Sequence, residues 1–429
     1  MKYVKLDPSD LKGNIKIPPS KSLCHRAIIC ACLSEGESVI EDFVMSEDME
    51  ATIGGMRVLG ASIEEQSDMQ QGNSRLKIKG GYRKTGDHID CIESGSTIRF
   101  LIPLALLDMG RITFDGRGKL KTRPLGIYKK IFDAQGIKYI HENDTLPLTV
   151  EGMLKSGEYE LEGNISSQFI TGLMFALPLL DGDSRITVTT ELESKGYVDL
   201  TLDMLRRYGI EIENRDYREF MIKGNQKYSR TDYRVEGDFS QAAFWIVAAT
   251  IGNGLECNNL NLESLQGDRV ILDIVREMGG RFEEKGDALR VLKSDTRGTV
   301  IDASQCPDLV PVLAVLASVS HGQTRIINAA RVRIKESDRL RAISEELRKL
   351  GADIEELEDG LIINGVEKLR GAEVDSWNDH RIAMALAVAS TRCEGPVTIR
   401  NSSAVNKSYP GFWKDFESLG GKIHEWNMG

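Results

Sequence analysis

The sequence predicts a mixed α/β fold made of six repeated units arranged in two domains. The chain has 429 residues, more than a single compact core usually holds, so two or more domains are expected. An amphipathic helical pattern that ends in glycine and leads into a short β-like run occurs six times, at intervals of about 70 residues. A second series, in which a polar cluster precedes a strongly apolar helical run, has the same period.

The first series shares a glycine just after the last apolar residue of the predicted helix. Its members are RVLGASIEE, FDAQGIKYI, LRRYGIEIE, VREMGGRFEE, LRKLGADIEE and FESLGGKIHE, with Gly60, Gly136, Gly209, Gly279, Gly351 and Gly420 as the glycines. Glycine allows the left-handed conformation that ends many helices, so one instance alone carries little information. Six instances in register predict a structural repeat.

The second series predicts one buried helix in each unit. Its members are SKSLCHRA at 20–27, SGSTIRFLIPLALL at 94–107, SSQFITGLMFALPLL at 166–180, DFSQAAFWIVAAT at 238–250, PDLVPVLAVLAS at 307–318 and NDHRIAMALAVAS at 378–390. A nearly all-apolar helix must be covered on every side, so one unit cannot bury its own faces. We therefore expect three βα-rich units in each domain, while the pattern leaves the strand topology open.

Composition and charge exclude several classes of protein. The apolar and charged fractions, 41% and 28%, are typical of globular proteins. A net charge of −10 disfavours nucleic acid or an anionic membrane as the main partner. The apolar stretches at 169–180 and 309–317 are too short to cross a bilayer, and charged residues follow Met1, so a cytoplasmic location is expected. The seven cysteines are expected to be reduced and mostly buried, without a metal site.

Cations stand at several predicted helix starts, where acidic residues are more usual. The expected pairs of cap and cation are Ser20 before Lys21 and Arg26, Ser96 or Thr97 before Arg99, Asn378 or Asp379 before His380 and Arg381, Lys335 and Glu336 before Ser337-Asp338-Arg339, and Lys121 and Arg123 before Pro124 as a first-turn residue. Any one of these cations taken alone could be a solvated surface side chain. Repeated at equivalent phases, they predict binding of small ligands that carry several phosphate or carboxylate groups.

Four motifs resemble those of the EPSP synthase family. IPPSKSLCHRA is similar to the family's P-x-S-K-S-x-x-x-R-A, ISSQFITGLMFALPL to S-S-Q-F/Y, RVRIKESDRL to R-V-K-E-S/T-D-R, and DHRIAMALAV to D-H-R-x-A-M. The motifs occur in the family's order, and the similarity extends over essentially the whole chain. The resemblance implies two similar domains, each of three βαβαββ units in an inside-out barrel with pseudo-threefold symmetry, and an active site in the interdomain cleft.

The resemblance also implies which residues each domain carries. Domain I would comprise residues 1–19 and 236–429, with Asp308, Lys335, Glu336, Arg339, Arg381 and Lys407. Domain II would comprise residues 20–235, with Lys21, Ser22, Arg26, Gly95, Arg123, Ser166, Ser167, Gln168 and Ser194.

Two anionic substrates follow from the resemblance, shikimate 3-phosphate and phosphoenolpyruvate. The first would be bound by Lys21, Ser22, Arg26, Ser166, Ser167, Gln168, Ser194, Tyr197, Asp308 and Lys335. The second would be bound by Lys21, Gly95, Arg123, Gln168, Arg339, Arg381 and Lys407. Arginine forks suit phosphate and carboxylate groups, while lysines act as mobile point charges.

The implied reaction is addition followed by elimination, with no metal and no cofactor. The 5-hydroxyl of shikimate 3-phosphate attacks C2 of the enol while C3 is protonated, and then phosphate leaves as C3 loses a proton. Glu336 would act at C3, Asp308 at the hydroxyl, and Lys21 and Lys407 on the departing phosphate. Without the resemblance, Glu336 and Asp308 could equally be ordinary helix caps.

The chain departs from the family pattern at several positions. Glu93 stands where asparagine is usual, Ser96 replaces a frequent threonine, Phe100 a frequent proline, and Arg331 a frequent asparagine. Further candidates for the site are Glu93, Arg99, Arg331 and His380, and a structural role for His380 is an equal alternative. The resemblance implies that the loop with Gly95 borders the site used by glyphosate in the family, and because Gly95 leaves room that a methyl group would fill, we expect glyphosate to compete with phosphoenolpyruvate. A monomer is expected.

Two alternatives stay open on the sequence. An enolpyruvyl transferase acting on UDP-N-acetylglucosamine would open with a Lys-Asn pair and carry a cysteine in the loop near 111–121, and this chain has neither. A non-catalytic anion-binding relative, or one that processes RNA ends, would need a basic surface that the acidic composition disfavours.

Overall fold

The computed structural model describes residues 2–68, 73–143 and 145–427. It divides into a continuous unit, Pro19–Val235, and a discontinuous unit, Met1–Pro18 with Glu236–Gly429. The sequence-based boundary placed Pro19 in the discontinuous unit, one residue from the observed division. Each unit has a hydrophobic core of its own.

The elements alternate along the whole chain. The helices are α1 (Lys21–Leu33), α2 (Glu47–Val58), α3 (Gly95–Leu104), α4 (Gly126–Gln135), α5 (Ser167–Ala176), α6 (Lys195–Arg207), α7 (Phe239–Ile251), α8 (Ile271–Glu277), α9 (Val310–Ser318), α10 (Arg339–Lys349), α11 (His380–Ser390) and α12 (Phe412–Ser418). The strands are β1 (Lys2–Asp7), β2 (Asn14–Lys16), β3 (Gly36–Glu41), β4 (Ser62–Asp68), β5 (Asn73–Gly80), β6 (His88–Asp90), β7 (Gly110–Asp115), β8 (Lys138–Glu142), β9 (Thr145–Gly152), β10 (Glu158–Leu161), β11 (Ser184–Val188), β12 (Ile212–Arg215), β13 (Glu219–Ile222), β14 (Tyr233–Arg234), β15 (Leu255–Asn258), β16 (Arg281–Lys285), β17 (Ala288–Leu292), β18 (Val300–Asp302), β19 (Gln323–Ile327), β20 (Asp353–Glu356), β21 (Leu361–Asn364), β22 (Glu373–Asp375), β23 (Val397–Arg400) and β24 (Lys422–Asn427).

The strands of the described residues form six four-stranded sheets with one common topology. The continuous unit contains β14-β3-β5-β4, β6-β7-β9-β8 and β10-β11-β13-β12, and the discontinuous unit contains β2-β15-β17-β16, β18-β19-β21-β20 and β22-β23-β1-β24. In each sheet the first pair is parallel and the other two pairs are antiparallel. The predicted sixfold repeat is therefore confirmed.

Among the described residues, three of the six repeats follow the order βαβαββ without interruption, as in β6-α3-β7-α4-β8-β9. Two repeats take their first strand from before a chain crossing. Strand β2 precedes the first crossing and pairs with β15 of the discontinuous unit, while β14 precedes the second crossing and pairs with β3 of the continuous unit. A third repeat is closed by the chain's first strand, because β1 lies between β23 and β24.

The apolar series forms the buried helices, as predicted. Helices α1, α3 and α5 lie in the core of the continuous unit, and α7, α9 and α11 lie in the core of the discontinuous unit. Helix α3 packs against α5, while α7, α9 and α11 pack against one another. In the discontinuous unit, this packing brings the starts of α9 and α11 together, where Arg381 Nη2 donates to Asp308 Oδ2.

The glycine series ends the amphipathic helices, as predicted. All six marking glycines have positive φ, from 73° at Gly136 to 111° at Gly60. At the end of α10, the N–H of Gly351 donates to the carbonyl of Arg348 and the N–H of Ala352 to that of Leu347. This paired pattern needs a left-handed residue, which glycine adopts without steric cost.

Two predictions about helix starts are wrong, and a third, that of Ser20, is confirmed in position only. Helix α3 is capped by Ser94, whose Oγ accepts from the N–H of Thr97 at 3.2 Å, so Arg99 lies beyond its first three residues. Ser20 occupies the N-cap position of α1 without a side-chain capping hydrogen bond among the described residues. Pro124 lies two residues before α4, because residues before a proline favour extended backbone and Arg123 has ψ 139°.

Three further features bear on the sequence-based expectations. No helix in the described ranges is both long and apolar enough to span a membrane. All seven cysteines are free thiols in buried positions. Within the same ranges, no group of three or more histidine, cysteine, aspartate and glutamate side chains is arranged to hold a metal ion.

Candidate active site

Arg339 is the centre of an ionic cluster in the discontinuous unit. It begins α10, its side chain is 1% exposed, and its guanidinium group reaches three carboxylates. The distances are 2.8 Å to Asp308, 2.7 Å to Glu336 and 2.8 Å to Asp379. Burial alone would lower the pKa of Arg339, but the three carboxylates outweigh it and hold the pKa above its usual value.

The carboxylate of Asp308 contacts cationic side chains from three different elements. It lies in a 3₁₀ turn before α9 and accepts hydrogen bonds from Arg339 Nη1 at 2.8 Å and Arg381 Nη2 at 3.2 Å. The ammonium group of Lys335 lies 3.6 Å from Oδ1 of the same carboxylate. Burial lowers the pKa of Lys335 to about 8, although Asp308 acts in the opposite direction.

The start of α11 ties Arg381 and Arg339 to one buried carboxylate. Asp379 is fully buried, caps the helix by accepting from the N–H of Arg381 at 2.9 Å, and accepts from Arg339 as well. Burial would raise the pKa of Asp379, yet the Arg339 charge holds it below its usual value. Of the two predicted caps, Asp379 is thereby confirmed. His380 is buried, with Nδ1 3.9 Å from Asp379 Oδ1.

Lys407 and Arg331 lie at the edge of this cluster. The ammonium group of Lys407 donates to the carbonyl of Asn378 at 2.7 Å and is 5% exposed. Arg331 Nη2 donates to the carbonyl of Ser304 at 3.2 Å, and its charge contributes to the lowered pKa of Lys335.

Asp268 is an acidic residue of this region that the sequence did not single out. Its buried carboxylate accepts from the hydroxyl of Ser240. Burial and the negative charge of Asp308 raise the pKa of Asp268 to about 6, while Arg381 opposes the shift. An aspartate before a short helix is a common capping pattern, so nothing in the sequence separated Asp268 from an ordinary cap.

Arg26 is the central cation of the continuous unit. It lies on α1, is 2% exposed, and donates to Thr201 Oγ1 at 2.9 Å and to the carbonyls of Ser22 at 2.8 Å and Tyr197 at 2.9 Å. Its guanidinium carbon also lies 5.5 Å from the ring centroid of Phe100 and 6.0 Å from that of Tyr197. Burial lowers the pKa of Arg26 to about 10.

Lys21, at the first position of α1, is paired with a carboxylate. Its ammonium group lies 2.6 Å from Oδ2 of Asp48, and both side chains are less than one-fifth exposed. Asp48 belongs to the acidic first turn of α2, where such residues are common, so the sequence did not identify it as a partner.

Gln168 joins the glycine-containing start of α3 to α5. Its Oε1 accepts from Arg99 Nη1 at 2.7 Å, and its Nε2 donates to Ser96 Oγ at 2.9 Å. Gly95 faces Arg123: a Cβ atom at position 95 would lie 2.7 Å from Nη1 of that arginine. Gln168 thus contacts Arg99 and Ser96 through its side chain, and Gly95 lies close to the guanidinium group of Arg123.

The predicted serines lie at helix starts of the continuous unit. Ser166 caps α5, its Oγ accepting from the N–H of Gln168 at 3.4 Å, and Ser167 is the first residue of that helix. Ser194 occupies the N-cap position of α6 in the left-handed conformation, with φ 56°, and is 2% exposed. Such positions direct backbone N–H groups toward an anion.

Glu93 packs against Gly118, in the 3₁₀ turn Gly118–Thr122 that precedes Arg123. A Cβ atom at Gly118 would lie less than 3 Å from the carboxylate atoms of Glu93, and Gly118 has φ 57°. The unusual glutamate thus has a glycine as its neighbour, whose missing side chain leaves room for the carboxylate.

The whole chain is similar to proteins of one family. The sequence model described as EPSP synthase (3-phosphoshikimate 1-carboxyvinyltransferase) matches residues 6–416. A 3-phosphoshikimate 1-carboxyvinyltransferase from Clostridium novyi is 60% identical, and one from Clostridium acetobutylicum is 59% identical, each over 100% of both chains. A solved EPSP synthase structure from Acinetobacter baumannii has a TM-score of 0.83 and 26% identity, with 100% of both chains covered.

Proposed function

The chain belongs to the EPSP synthase family and is a transferase of the shikimate pathway, and we propose that the two buried cation clusters bind its substrates, shikimate 3-phosphate and phosphoenolpyruvate. The observation that carries this assignment is the arrangement around Arg339, where Asp308 and Glu336 share one guanidinium group. Two acids held by one cation, with Arg381 and Lys335 adjacent, suit a reaction that moves two protons and releases phosphate.

Shikimate 3-phosphate binding is assigned mainly to the continuous unit. The guanidinium group of Arg26 donates hydrogen bonds to neutral oxygens. Because these bonds do not neutralise its positive charge, that charge can attract an incoming phosphate group. Helix starts supply the rest of the anion site. The proposed set is Lys21, Ser22, Arg26, Ser166, Ser167, Gln168, Ser194 and Tyr197, with Asp308 and Lys335 from the discontinuous unit.

Phosphoenolpyruvate binding is assigned to cations of both units. Its carboxylate and phosphate need several positive charges, which arginine and lysine supply in complementary ways. The proposed set is Lys21, Gly95, Arg123 and Gln168 in the continuous unit, and Arg339, Arg381 and Lys407 in the discontinuous unit. Because Gly95 approaches Arg123 so closely, we also propose that glyphosate competes at this set.

The proposed chemistry assigns one proton transfer to Asp308 and two to Glu336. In the addition step, the 5-hydroxyl oxygen bonds to C2, its proton passes to Asp308, and protonated Glu336 delivers a proton to C3. In the elimination step, Glu336 removes a proton from C3 as the bond from C2 to the phosphate oxygen breaks. Lys21 and Lys407 stabilise the departing phosphate, and the hydroxyl proton held by Asp308 is released with it, which restores the carboxylate. A cytoplasmic location and a monomeric state remain proposals.

Phosphate release tests the function. Purified protein is given phosphoenolpyruvate with or without shikimate 3-phosphate in the presence of EDTA, and Glu336→Ala is compared with Glu345→Ala on the exposed side of α10. We expect release that requires both substrates, persists with the chelator, and is lost only in Glu336→Ala. Release with UDP-N-acetylglucosamine as acceptor instead would overturn the assignment of shikimate 3-phosphate, and no release with either acceptor would overturn the assigned reaction.

A further inference from the structure

A strained turn precedes helix α11. Trp377 and Asn378 have φ values of 54° and 53°, so two consecutive residues other than glycine adopt the left-handed conformation. This conformation is unfavourable for a bulky side chain such as tryptophan and persists only where surrounding contacts fix it. The Asp375 carboxylate provides one such contact by accepting from the N–H of Trp377 at 2.7 Å.

Glu346 provides the other fixed contacts from inside α10. Its carboxylate is 1% exposed and accepts from the indole N–H of Trp377 at 2.8 Å and the backbone N–H of Asp375 at 3.0 Å. The ammonium group of Lys349, one helical turn later, is 2.7 Å from Oε2. A buried carboxylate with three donors therefore joins helix α10 to both ends of the segment 375–377.

The turn carries two groups that hold proposed phosphoenolpyruvate ligands. The carbonyl of Asn378 accepts from Lys407, and Asp379 accepts from Arg339 and from the N–H of Arg381. Moving the turn would therefore displace the acceptor of Lys407 and the cap of α11 together. Displacements of about 1 Å at a reacting group can lower a rate by about 100-fold.

We propose that Glu346 is a positioning residue for phosphoenolpyruvate, acting through the turn formed by Trp377 and Asn378. The inference rests on the proposed function, because it takes Lys407 and Arg339 as ligands of that substrate. Both oxygens of the carboxylate face N–H donors, so a glutamine at this position would turn its own NH₂ group toward one set of them. Glutamine, which is neutral but has the same shape, would therefore disrupt the hydrogen bond to either Trp377 or Asp375.

Three variants test the proposal through kinetics. We expect Glu346→Gln to lower kcat/KM for phosphoenolpyruvate by about 100-fold and Trp377→Phe, which loses only one donor, by about tenfold. The dissociation constant for shikimate 3-phosphate should stay within about threefold in both. Lys349→Met removes the exposed cation but leaves both ties to the turn, and should stay within about twofold of the unmodified protein.

The double variant Glu346→Gln/Trp377→Phe separates positioning from general loss of stability. Because the amide NH₂ can then face the phenylalanine ring, we expect the double variant to be no less active than Glu346→Gln alone. Additive losses, or equal weakening of both substrates, would overturn the proposal. Trp377→Phe keeps the test valid should Glu346→Gln fail to fold.

The indole resonance of Trp377 gives a readout that does not depend on turnover. In a ¹⁵N–¹H correlation spectrum, the Trp377 signal is assigned by its loss in Trp377→Phe, and we expect it to shift upfield in Glu346→Gln. If the unmodified protein releases no phosphate while this shift occurs, the proposed function fails and the contact stands. If it is active and Glu346→Gln is equally active, the positioning role is contradicted.

Discussion

Arg26 and Arg339 are both buried guanidinium groups, but they have opposite kinds of neighbour. Within the described residues, all hydrogen bonds of Arg26 go to a hydroxyl and two carbonyl oxygens, and burial lowers its pKa to about 10. Arg339 meets three carboxylates, which hold its pKa above the usual value despite burial. The described hydrogen-bond partners of Arg26 are thus neutral, whereas Arg339 is paired with three carboxylates in addition to its proposed role in binding phosphoenolpyruvate.

The difference predicts different consequences of losing each arginine. Removing Arg339 leaves Asp308, Glu336 and Asp379 close together without their shared cation, which is a large electrostatic cost in a buried position. Removing Arg26 leaves neutral acceptors, whose burial without a donor costs less. The folded state should therefore depend more on Arg339, and substrate binding more on Arg26.

The largest expected effect is on the stability of Arg339→Met. We expect the free energy of unfolding of the discontinuous unit to fall by about 3–5 kcal/mol, as measured by denaturant titration. Arg26→Met should lose about 1–3 kcal/mol in the continuous unit. Equal losses of unfolding free energy in the two variants would show that the three carboxylates around Arg339 do not raise the cost of removing this arginine.

The next effect is on binding of shikimate 3-phosphate. Arg26→Met should weaken that binding by about 30-fold or more, because a charge-assisted contact to the ligand is lost in a buried site. Calorimetric titration measures this effect, with Arg206→Met on the exposed side of α6 as the control. Unchanged affinity in Arg26→Met would contradict the proposal that Arg26 binds shikimate 3-phosphate, and with it the contrast between Arg26 and Arg339.

A pH effect follows from Lys335, whose pKa is lowered to about 8 by burial. In the folded protein the ammonium group of Lys335 loses its proton near pH 8. Above pH 8, the affinity for shikimate 3-phosphate should therefore fall with pH, by no more than about tenfold per pH unit. Between pH 8 and the unfolded value of about 10.4, the unfolded state binds more protons and the contribution of Lys335 to the free energy of unfolding rises with pH. Lys335→Met should lack both trends; their persistence would assign them to another group.

The smallest expected effect concerns Gly95→Ala. The added methyl group would lie 2.7 Å from Arg123 Nη1, so the guanidinium group must move by a few tenths of an ångström or more. We expect KM for phosphoenolpyruvate to rise by about tenfold and glyphosate inhibition to weaken, with the affinity for shikimate 3-phosphate unchanged. Initial-rate kinetics measure both constants. Unchanged inhibition by glyphosate would contradict its placement beside Gly95.

Sequence periodicity predicted the parts of the fold that depend on local pattern. The glycines that end the amphipathic helices and the buried helices of the apolar series were confirmed, since each follows from residues adjacent in the chain. The pairing of β2 with β15 and of β14 with β3, each across a long stretch of chain, was not predicted, because partner choice in a sheet depends on distant residues. The start of α3 was misplaced because Ser94, Ser96 and Thr97 are all acceptable caps and only the backbone conformation distinguishes them.

The candidate site shows the same limit. Most of its cations were named from the family motifs, but their carboxylate partners outside those motifs were missed. Asp48 contacts Lys21 from 27 residues away, and the pKa of Asp268 is shifted through space by Asp308 and Arg381. Glu346 looks like one more charged residue of an amphipathic helix, and only its burial against Trp377 distinguishes it. Such roles arise from packing between elements, which periodicity does not specify.

The most direct test of the account follows both products of the reaction at once. Phosphoenolpyruvate labelled with ¹³C at C2 is incubated with shikimate 3-phosphate and the purified protein, and ¹³C and ³¹P spectra are recorded over time. We predict a new enol ether carbon signal that appears in a one-to-one ratio with inorganic phosphate and only when both substrates are present. Phosphate release without the enol ether, or release without shikimate 3-phosphate, would contradict the assigned transfer.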